Sequence, residues 1–219
     1  MKAEDIHTEP LPDGTERVVI DTPTGRVQCV FHKADTDKGV IWLCGALGGL
    51  DGPSFGIFRI LAERLVADGI SSLRLHYHRP GDFDECVQDV LLGVDYLKQR
   101  GIDLVVLVGH SFGGAVAIQA GTMIPHVQAV VGLASQTYGA RNAGNLSPRP
   151  LLLIHGERDR NLPAECSRQI YRWAKEPREV HILKGNGHFL REAHAELQPW
   201  LRDWLVARLG EAEARHKHR

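Results

Sequence analysis

The sequence lacks an excess of charge of either sign. Its 219 residues include 26 lysines and arginines against 27 aspartates and glutamates, a formal charge of −1 with neutral histidines. Binding to nucleic acid or to a membrane surface needs a basic face that displaces counterions. We therefore expect neither nucleic acid nor a membrane as a partner. A chain of this length can bury a core of its own without disulfides or structural metals.

Long apolar runs are also missing. No stretch approaches the ~18 consecutive apolar residues that would cross a bilayer. The first five residues are mostly polar and lead into a polar, proline-containing segment without the apolar core of a signal peptide. These two absences predict a cytoplasmic protein.

Closely spaced cysteines are absent as well. Cys29, Cys44, Cys86 and Cys166 form no C-x-x-C pair, which argues against a zinc knuckle or a redox motif. In a reducing compartment we expect buried free thiols rather than disulfides.

Apolar runs of strand length alternate with segments of helical period, the pattern of an α/β protein with a mostly parallel sheet. We predict eight strands, at 16–21, 26–32, 40–44, 70–76, 104–108, 127–133, 150–155 and 179–183. Helices are expected near 58–65, 87–97, 112–123, 164–174 and 192–209, on both faces of the sheet. The prediction is a single domain over residues 1–219, with its core at 16–209, a short N-terminal lead and a solvated basic tail at 215–219.

The strongest local signal is G-H-S-F-G at 109–113, where a buried strand gives way to a helix. A serine on this sharp turn projects its hydroxyl above the sheet edge, and flanking glycines remove Cβ atoms that would collide. The helix that begins beside it presents free N–H groups to a developing oxyanion. The alternative is a serine that only caps the helix.

A serine nucleophile needs a base, since its hydroxyl reacts poorly at neutral pH. His188 lies in the segment 185–189, directly after the last predicted strand and so at the same sheet edge as Ser111. An acid that orients the imidazole should lie between them in the chain, and the segment 155–159 offers both Glu157 and Asp159.

From about residue 16 to 209 the chain resembles the α/β-hydrolase superfamily. The segments that carry the resemblance are G-H-S-F-G at 109–113, H-G-E-R-D at 155–159 and G-N-G-H-F at 185–189, in the family order Ser, Asp, His. The resemblance implies Ser111 as nucleophile, His188 as general base and Asp159 as the group that orients it. Motif position favours Asp159 over Glu157. His194, a rival base, falls at the start of the final helix.

The resemblance also implies an oxyanion hole made of backbone N–H groups. One donor is expected from Phe112, the residue after the nucleophile, and the other from Ala46, with Leu47 as the alternative. Cys44 and Gly45 stand where many members carry His-Gly, so the loop departs from the family pattern here. Cys44 as a second nucleophile is the less favoured interpretation.

Three further histidines are candidates for substrate binding: His76, His78 and His110. His76 and His78 are two apart on one strand and point to the same side. No third metal ligand is placed by the sequence, so we expect no metal there, but pocket lining or hydrogen bonding with Asp82 or Asp84. Arg158 and Arg160 flank the proposed acid, and surface ion pairs are favoured over binding of an anionic substrate group.

The resemblance is to compact, lidless members. Larger relatives insert a cap after the sixth strand, whereas here only the segment 136–149, with space for one short helix, joins the sixth and seventh predicted strands. We predict a carboxylesterase-type serine hydrolase that cleaves small esters or thioesters through an acyl-serine, without a cofactor. An open site favours short acyl chains. The alternatives are an acyltransferase, an amidase or a C–C hydrolase with the same triad, or a non-catalytic binding protein on this fold.

Overall fold

The computed structural model describes residues 2–217, which form a sheet of nine strands with five α-helices. The strands are β1 (Asp5–Pro10), β2 (Glu16–Thr22), β3 (Gly25–His32), β4 (Lys38–Leu43), β5 (Ser71–His76), β6 (Leu104–His110), β7 (Val127–Leu133), β8 (Leu151–Gly156) and β9 (Arg178–Leu183). The helices are α1 (Pro53–Leu65), α2 (Phe83–Gln99), α3 (Phe112–Met123), α4 (Glu165–Trp173) and α5 (His194–Lys217). Short 3₁₀ helices span Val66–Asp68 and Ala143–Leu146.

The strand order across the sheet is β1-β2-β3-β5-β4-β6-β7-β8-β9. The pairs β1–β2, β2–β3 and β3–β5 are antiparallel. The remaining pairs, β5–β4, β4–β6, β6–β7, β7–β8 and β8–β9, are parallel. The carboxyl ends of β4 to β9 therefore share one edge of the sheet. The three segments that carry the family resemblance, 109–113, 155–159 and 185–189, fall at or directly after these ends.

Two apolar layers sandwich the sheet, and the alternation of side chains along β6 shows how. Val105 and Leu107 pack with the helices α2 and α3, whereas Val106 and Val108 pack with α1 and α5. All seven residues of β6 are buried, as expected of a central strand covered on both faces. The predicted α/β architecture, with helices on both faces of a mostly parallel sheet, is confirmed.

The sheet has one strand more than the eight expected from the sequence. β1 pairs with β2 in an antiparallel register that sets Asp5 opposite Asp21 and Pro10 opposite Glu16. It is a polar edge strand in which only Ile6 is partly buried against the core. Since little apolar surface is covered there, the sequence carried no strand-like hydrophobic pattern.

The C-terminal end also differs from the expectation. α5 runs eight residues beyond the predicted end at 209, so residues 215–217 of the basic tail are helical. His218 and Arg219, the rest of that predicted tail, lie outside the described residues. Cys29, Cys44 and Cys86 are buried free thiols, and Cys166 is a half-buried one. Within residues 2–217 no helix is both long and apolar enough to cross a membrane.

The central position of β6 makes its side chains sensitive to truncation. We expect Leu107→Ala, at a fully buried site, to lower the free energy of unfolding by about 2–5 kcal/mol through lost transfer energy and a cavity. Urea unfolding followed by circular dichroism measures the change. Met123→Ala, at a side chain that is 50% exposed, is the matched control and should cost far less. Equal losses in both variants would contradict the assignment of β6 to the core.

Candidate functional site

Ser111 occupies a strained turn between β6 and α3. Its backbone has φ 58° and ψ −120°, which non-glycine residues rarely adopt. The N–H of Ser111 donates to the Leu133 carbonyl at 2.8 Å, and its own carbonyl accepts from Gly114 N–H at 3.1 Å. These bonds fix the turn and place Ser111 in the wall of a cleft at the carboxyl edge of the sheet.

Two glycines make this turn sterically possible. A Cβ at Gly109 would lie 2.0 Å from the Gly113 carbonyl oxygen, and one at Gly113 would lie 2.2 Å from the Cys44 carbonyl oxygen. Real Cβ atoms do not come this close to backbone oxygen. The glycines of the G-x-S-x-G segment are therefore needed for close approach of α3 to the ends of β4 and β6.

Asp159 and His188 form a tight pair beside the same cleft. Asp159 Oδ2 lies 2.6 Å from His188 Nδ1, and the Asp159 side chain is fully buried. Its Oδ1 accepts the backbone N–H groups of Asn161 at 2.8 Å and Leu162 at 2.9 Å. Burial alone would raise the pKa of Asp159, but the hydrogen bonds from Leu162, His188 and Asn161 outweigh it and lower that pKa. The carboxylate is thus held as an anion, and His188 carries its proton on Nδ1.

A second histidine, His155, supports the same carboxylate. His155 Nε2 lies 3.1 Å from Asp159 Oδ2 and 3.0 Å from the Leu162 carbonyl oxygen, and Nδ1 lies 2.7 Å from Ser167 Oγ. Since two acceptors face Nε2, that nitrogen carries the proton, and the Ser167 hydroxyl donates to Nδ1. Burial lowers the pKa of His155, so the ring stays neutral. The sequence predicts no role for His155 or Ser167. The H-x-x-x-D spacing was a signal for the first, but none existed for the second.

The cleft has a volume of about 570 Å³. One wall is the loop 44–52, which includes Ala46 and Leu47, and the other contains His110, Ser111, Asn161, His188 and Phe189. The Phe112 ring is buried behind the turn, 5.8 Å from the Phe83 ring, while its backbone belongs to the first turn of α3. The predicted nucleophile, base and oxyanion donors thus come to one place.

The structure gives His76 a contact with this loop rather than with the cleft. His76 Nδ1 accepts the backbone N–H of Gly49 at 2.8 Å. A Cβ at Gly48 would lie 2.7 Å from the His76 ring, so loop and ring are in close contact. His76 is not among the residues that line the cleft. It holds the loop 44–52 in place.

His78 lies away from the cleft and has a partner other than those expected. Its Nδ1 lies 2.7 Å from Asp89 Oδ1, and its backbone N–H donates to Asp89 Oδ2 at 2.9 Å. Asp82, one of the two predicted partners, instead caps α2 by accepting the Glu85 N–H. Both the His78 and Asp89 side chains are buried. The sequence could not show this pair, because Asp89 lies five residues beyond Asp84 along α2 and its contact with His78 is set by packing.

His110 does line the cleft, but it is buried and bonded to the chain that carries His188. Its Nε2 donates to the His188 carbonyl oxygen at 3.0 Å, and the two rings lie 4.8 Å apart. Burial, more than the nearby His188, lowers the pKa of His110 to about 4. The ring is therefore neutral and fixes the backbone of the His188 loop.

The alternatives considered from the sequence have other partners. His194 Nδ1 lies 3.1 Å from Ser54 Oγ, and His194 Nε2 accepts from Gln198 Nε2 at 2.6 Å. Glu157 accepts the N–H of Gly185 at 3.0 Å. Burial raises the pKa of the Cys44 thiol to about 11, which disfavours the thiolate that a second nucleophile would need. Among residues 2–217 no group of three His, Cys, Asp or Glu side chains is placed to hold a metal ion.

Comparisons with solved structures identify the fold. Est1E from Butyrivibrio proteoclasticus aligns over 89% of this chain and 99% of its own, with TM-score 0.76 and 16% identity. A cold-adapted esterase from an Arctic intertidal metagenomic library aligns over 94% and 99%, with TM-score 0.76 and 14% identity. The dienelactone hydrolase from Anabaena variabilis aligns over 92% and 98%, with TM-score 0.73 and 16% identity. The chain has the α/β-hydrolase fold, as the sequence resemblance implied.

Sequence comparison reaches less far. No model of a known protein family matches the chain. The uncharacterized protein YfhR of Escherichia coli (strain K12) is 37% identical over 57 residues, which are 26% of this chain. The match spans about a fifth of the length of that relative.

The buried His110 predicts a pH dependence of stability. Its pKa falls from 6.5 to about 4 on folding, so the unfolded chain binds more protons between these values. The contribution of His110 to the free energy of unfolding should therefore decrease as pH falls through this window and stay constant above it. His110→Gln, which keeps a donor for the His188 carbonyl, should flatten that part of the profile. Urea unfolding between about pH 7 and about pH 4 measures it, and an unchanged slope in the variant would contradict the prediction.

Proposed function

We propose that this chain, with its α/β-hydrolase fold, is a serine hydrolase that cleaves small carboxylic esters or thioesters. The observation that carries the proposal is the position of Ser111 on the strained turn, facing one cleft with His188, whose ring is held by the buried Asp159 carboxylate. A serine that only capped α3 would need no such partner, and Ser111 makes no side-chain cap there. Several proteins of the same fold are esterases or hydrolases by name, which supports the reaction class.

The first step uses the two ends of the His188 ring. With its proton on Nδ1 facing Asp159, the ring offers Nε2 as the base that takes the Ser111 proton as Oγ attacks the substrate carbonyl. The Asp159 anion then stabilises the imidazolium that forms. His188 returns the proton to the leaving alcohol or thiol, and an acyl-serine remains. Water, activated by His188 in the same manner, hydrolyses it.

The tetrahedral oxygen needs two donors, which we assign to backbone N–H groups. Phe112 supplies one from the first turn of α3, and Ala46 supplies the other, with Leu47 as the alternative. Among the bonds that hold the loop 44–52, Gly49 N–H donates to His76, the Tyr77 hydroxyl donates to the Cys44 carbonyl, and Gly48 N–H donates to the Gly45 carbonyl. Loss of one oxyanion donor typically costs about 3–4 kcal/mol of transition-state stabilisation.

The open shape of the cleft supports short substrates. The segment 136–149 contains one 3₁₀ helix, Ala143–Leu146, and none of its residues lines the cleft. Leu47 on the loop 44–52 is 93% exposed. A long acyl chain would leave much of its apolar surface in water, so we propose a preference for short acyl groups.

A fluorophosphonate probe tests the assignment of the triad. The wild-type protein should be labelled at Ser111 and should hydrolyse p-nitrophenyl acetate, while Ser111→Ala and His188→Ala lose at least about a thousandfold in kcat/KM. His194→Gln, at the rival histidine, is the matched control and should keep most of the activity. The measurements are mass spectrometry of the adduct and release of p-nitrophenol.

Two outcomes would overturn the proposal in different ways. Absence of labelling, together with hydrolysis no faster than in Ser111→Ala, would remove the enzymatic function. Full activity in His188→Ala combined with its loss in His194→Gln would move the base to His194. Circular dichroism of each variant checks that the fold is retained.

Acyl-chain length gives a separate prediction for the open cleft. Among acetyl, butyryl, octanoyl and palmitoyl p-nitrophenyl esters, kcat/KM should be highest for acetyl or butyryl and lowest for palmitoyl, because the cleft shields little of a long chain. Initial rates below the micelle-forming concentration of each ester measure it. Rates that rise toward palmitoyl would contradict the short-substrate proposal without affecting the triad.

A further inference from the structure

Arg191 lies beside the cleft between two phenyl rings. Its guanidinium carbon is 5.6 Å from the centroid of the Phe55 ring and 5.2 Å from that of the Phe189 ring. Arg191 is exposed, and across residues 2–217 no carboxylate lies within ion-pair distance of it. An arginine stacked on aromatic faces keeps its in-plane N–H groups free for a carboxylate. Arg191 is thus an oriented cation with unused donors.

The two rings connect this cation to the catalytic cleft. Phe189 lines the cleft, and its ring centroid is 5.4 Å from that of His188. Phe55 is 63% exposed and Phe189 is 46% exposed. Exposed phenyl rings that share contact with one guanidinium, one of them at the rim of the cleft, mark a surface suited to an apolar ligand. We call Phe55, Phe189 and Arg191 the phenyl–arginine clamp.

The clamp is held by a strained backbone turn. Ser54, Phe55 and Gly56 are consecutively left-handed, with φ of 51°, 57° and 85°. Left-handed backbone costs about 1 kcal/mol or more at a non-glycine residue, and such strain persists only where the surroundings enforce it. This turn directs Phe55 outward, toward Arg191.

Three hydrogen bonds join that turn to the chain after His188. Ser54 N–H donates to the Phe189 carbonyl at 2.8 Å, and the buried Ser54 hydroxyl donates to the Leu190 carbonyl at 3.1 Å. The same hydroxyl lies 3.1 Å from His194 Nδ1. The turn at 54–56 and the segment after His188 are therefore bonded directly to each other. The positions of Phe55, Phe189 and Arg191 do not depend only on the contacts among those three side chains.

The charge around the clamp favours an anion. Arg158 and Arg160, for which surface ion pairs were the favoured expectation, have no such pair within residues 2–217. Glu192, the acid next to Arg191 in the chain, accepts the Gly187 N–H at 3.2 Å; backbone hydrogen bonds lower its pKa first, and the charges of Arg191 and Arg158 lower it further, but it forms no ion pair with either arginine. Asp51, in the opposite wall of the cleft, is paired with Arg74 at 2.7 Å. An anionic group at this rim would therefore meet Arg191 as its available partner.

We propose that the phenyl–arginine clamp binds the leaving group of the substrate, and that this group is a flat aromatic ring carrying a carboxylate. The inference rests on the proposed function, which places the leaving oxygen at His188 Nε2, next to Phe189 in the chain. A planar ring packs against the exposed part of Phe189 at the rim of the cleft, and its carboxylate accepts the in-plane N–H groups of Arg191. The natural substrate class is thus a short-acyl ester of a hydroxylated aromatic acid.

Two matched esters test the proposal. 4-Acetoxybenzoate and its methyl ester share the acetyl group and the ring, and differ in the negative charge. The wild-type protein should prefer the anionic ester in kcat/KM. Arg191→Gln should reduce kcat/KM for that ester by about tenfold, mainly through KM, and change the neutral ester less than about twofold. Arg160→Gln removes another exposed arginine charge as the control, and Arg191→Lys, which keeps the charge without the planar fork, should recover only part of the preference for the anionic ester.

Three results would overturn the proposal: no preference for the anionic ester in the wild-type protein, an equal effect of Arg191→Gln on both esters, or an equal loss in Arg160→Gln. The last would show a general field rather than a clamp. Binding of 4-hydroxybenzoate to Ser111→Ala, followed by calorimetry, tests the clamp without catalysis. Binding that Arg191→Gln abolishes supports the clamp even if neither ester is cleaved, whereas absence of binding rejects it. Thermal unfolding confirms that each variant is folded.

Discussion

The close approach of three backbone segments is the constraint on which the rest of the site depends. They are the ends of β4 and β6 and the start of α3. α3 begins so near the end of β4 that Gly113 has no space for a Cβ beside the Cys44 carbonyl. This contact puts Ser111 next to the loop 44–52, so the hydroxyl and the proposed oxyanion donors share one cleft. The positive φ of Ser111 is the local cost of that geometry. The sandwich of two apolar layers around β6 holds the turn against relaxation.

A second constraint is the buried charge of Asp159. A carboxylate out of contact with water is costly unless its oxygens are hydrogen-bonded. Here two backbone N–H groups and two imidazoles satisfy it. His155 is neutral and donates from the buried side, whereas His188 lines the cleft. These hydrogen bonds keep Asp159 ionised and fix the orientation of the His188 ring.

The sequence predicted those parts of the molecule that leave a local pattern. Each buried parallel strand is a continuous apolar run, as in β6, and each motif follows the end of such a run. β1 escaped prediction because an exposed edge strand such as Asp5–Pro10 has no apolar alternation. The spacing of His76 and His78 predicts that both bind substrate, because they point to the same side of one strand. Their partners, Gly49 and Asp89, are instead set by tertiary packing. The contacts of Ser167 with His155, and of Arg191 with two phenyl rings, follow from no residue spacing in the sequence.

The part of the chain at 2–217 contributes no residue of the segment 136–149 to the cleft, so under the proposed function the rim is where a substrate would be distinguished. In this chain the rim is joined to the proposed base, since the segment that carries His188 continues into Phe189, Leu190 and Arg191. Ser54 binds the carbonyls of Phe189 and Leu190, and His110 binds the carbonyl of His188. The His188 backbone is therefore anchored from the core on one side and from the strained turn on the other. Under the proposed function, a ligand bound at the phenyl–arginine clamp would contact the same segment that carries the proposed base, His188.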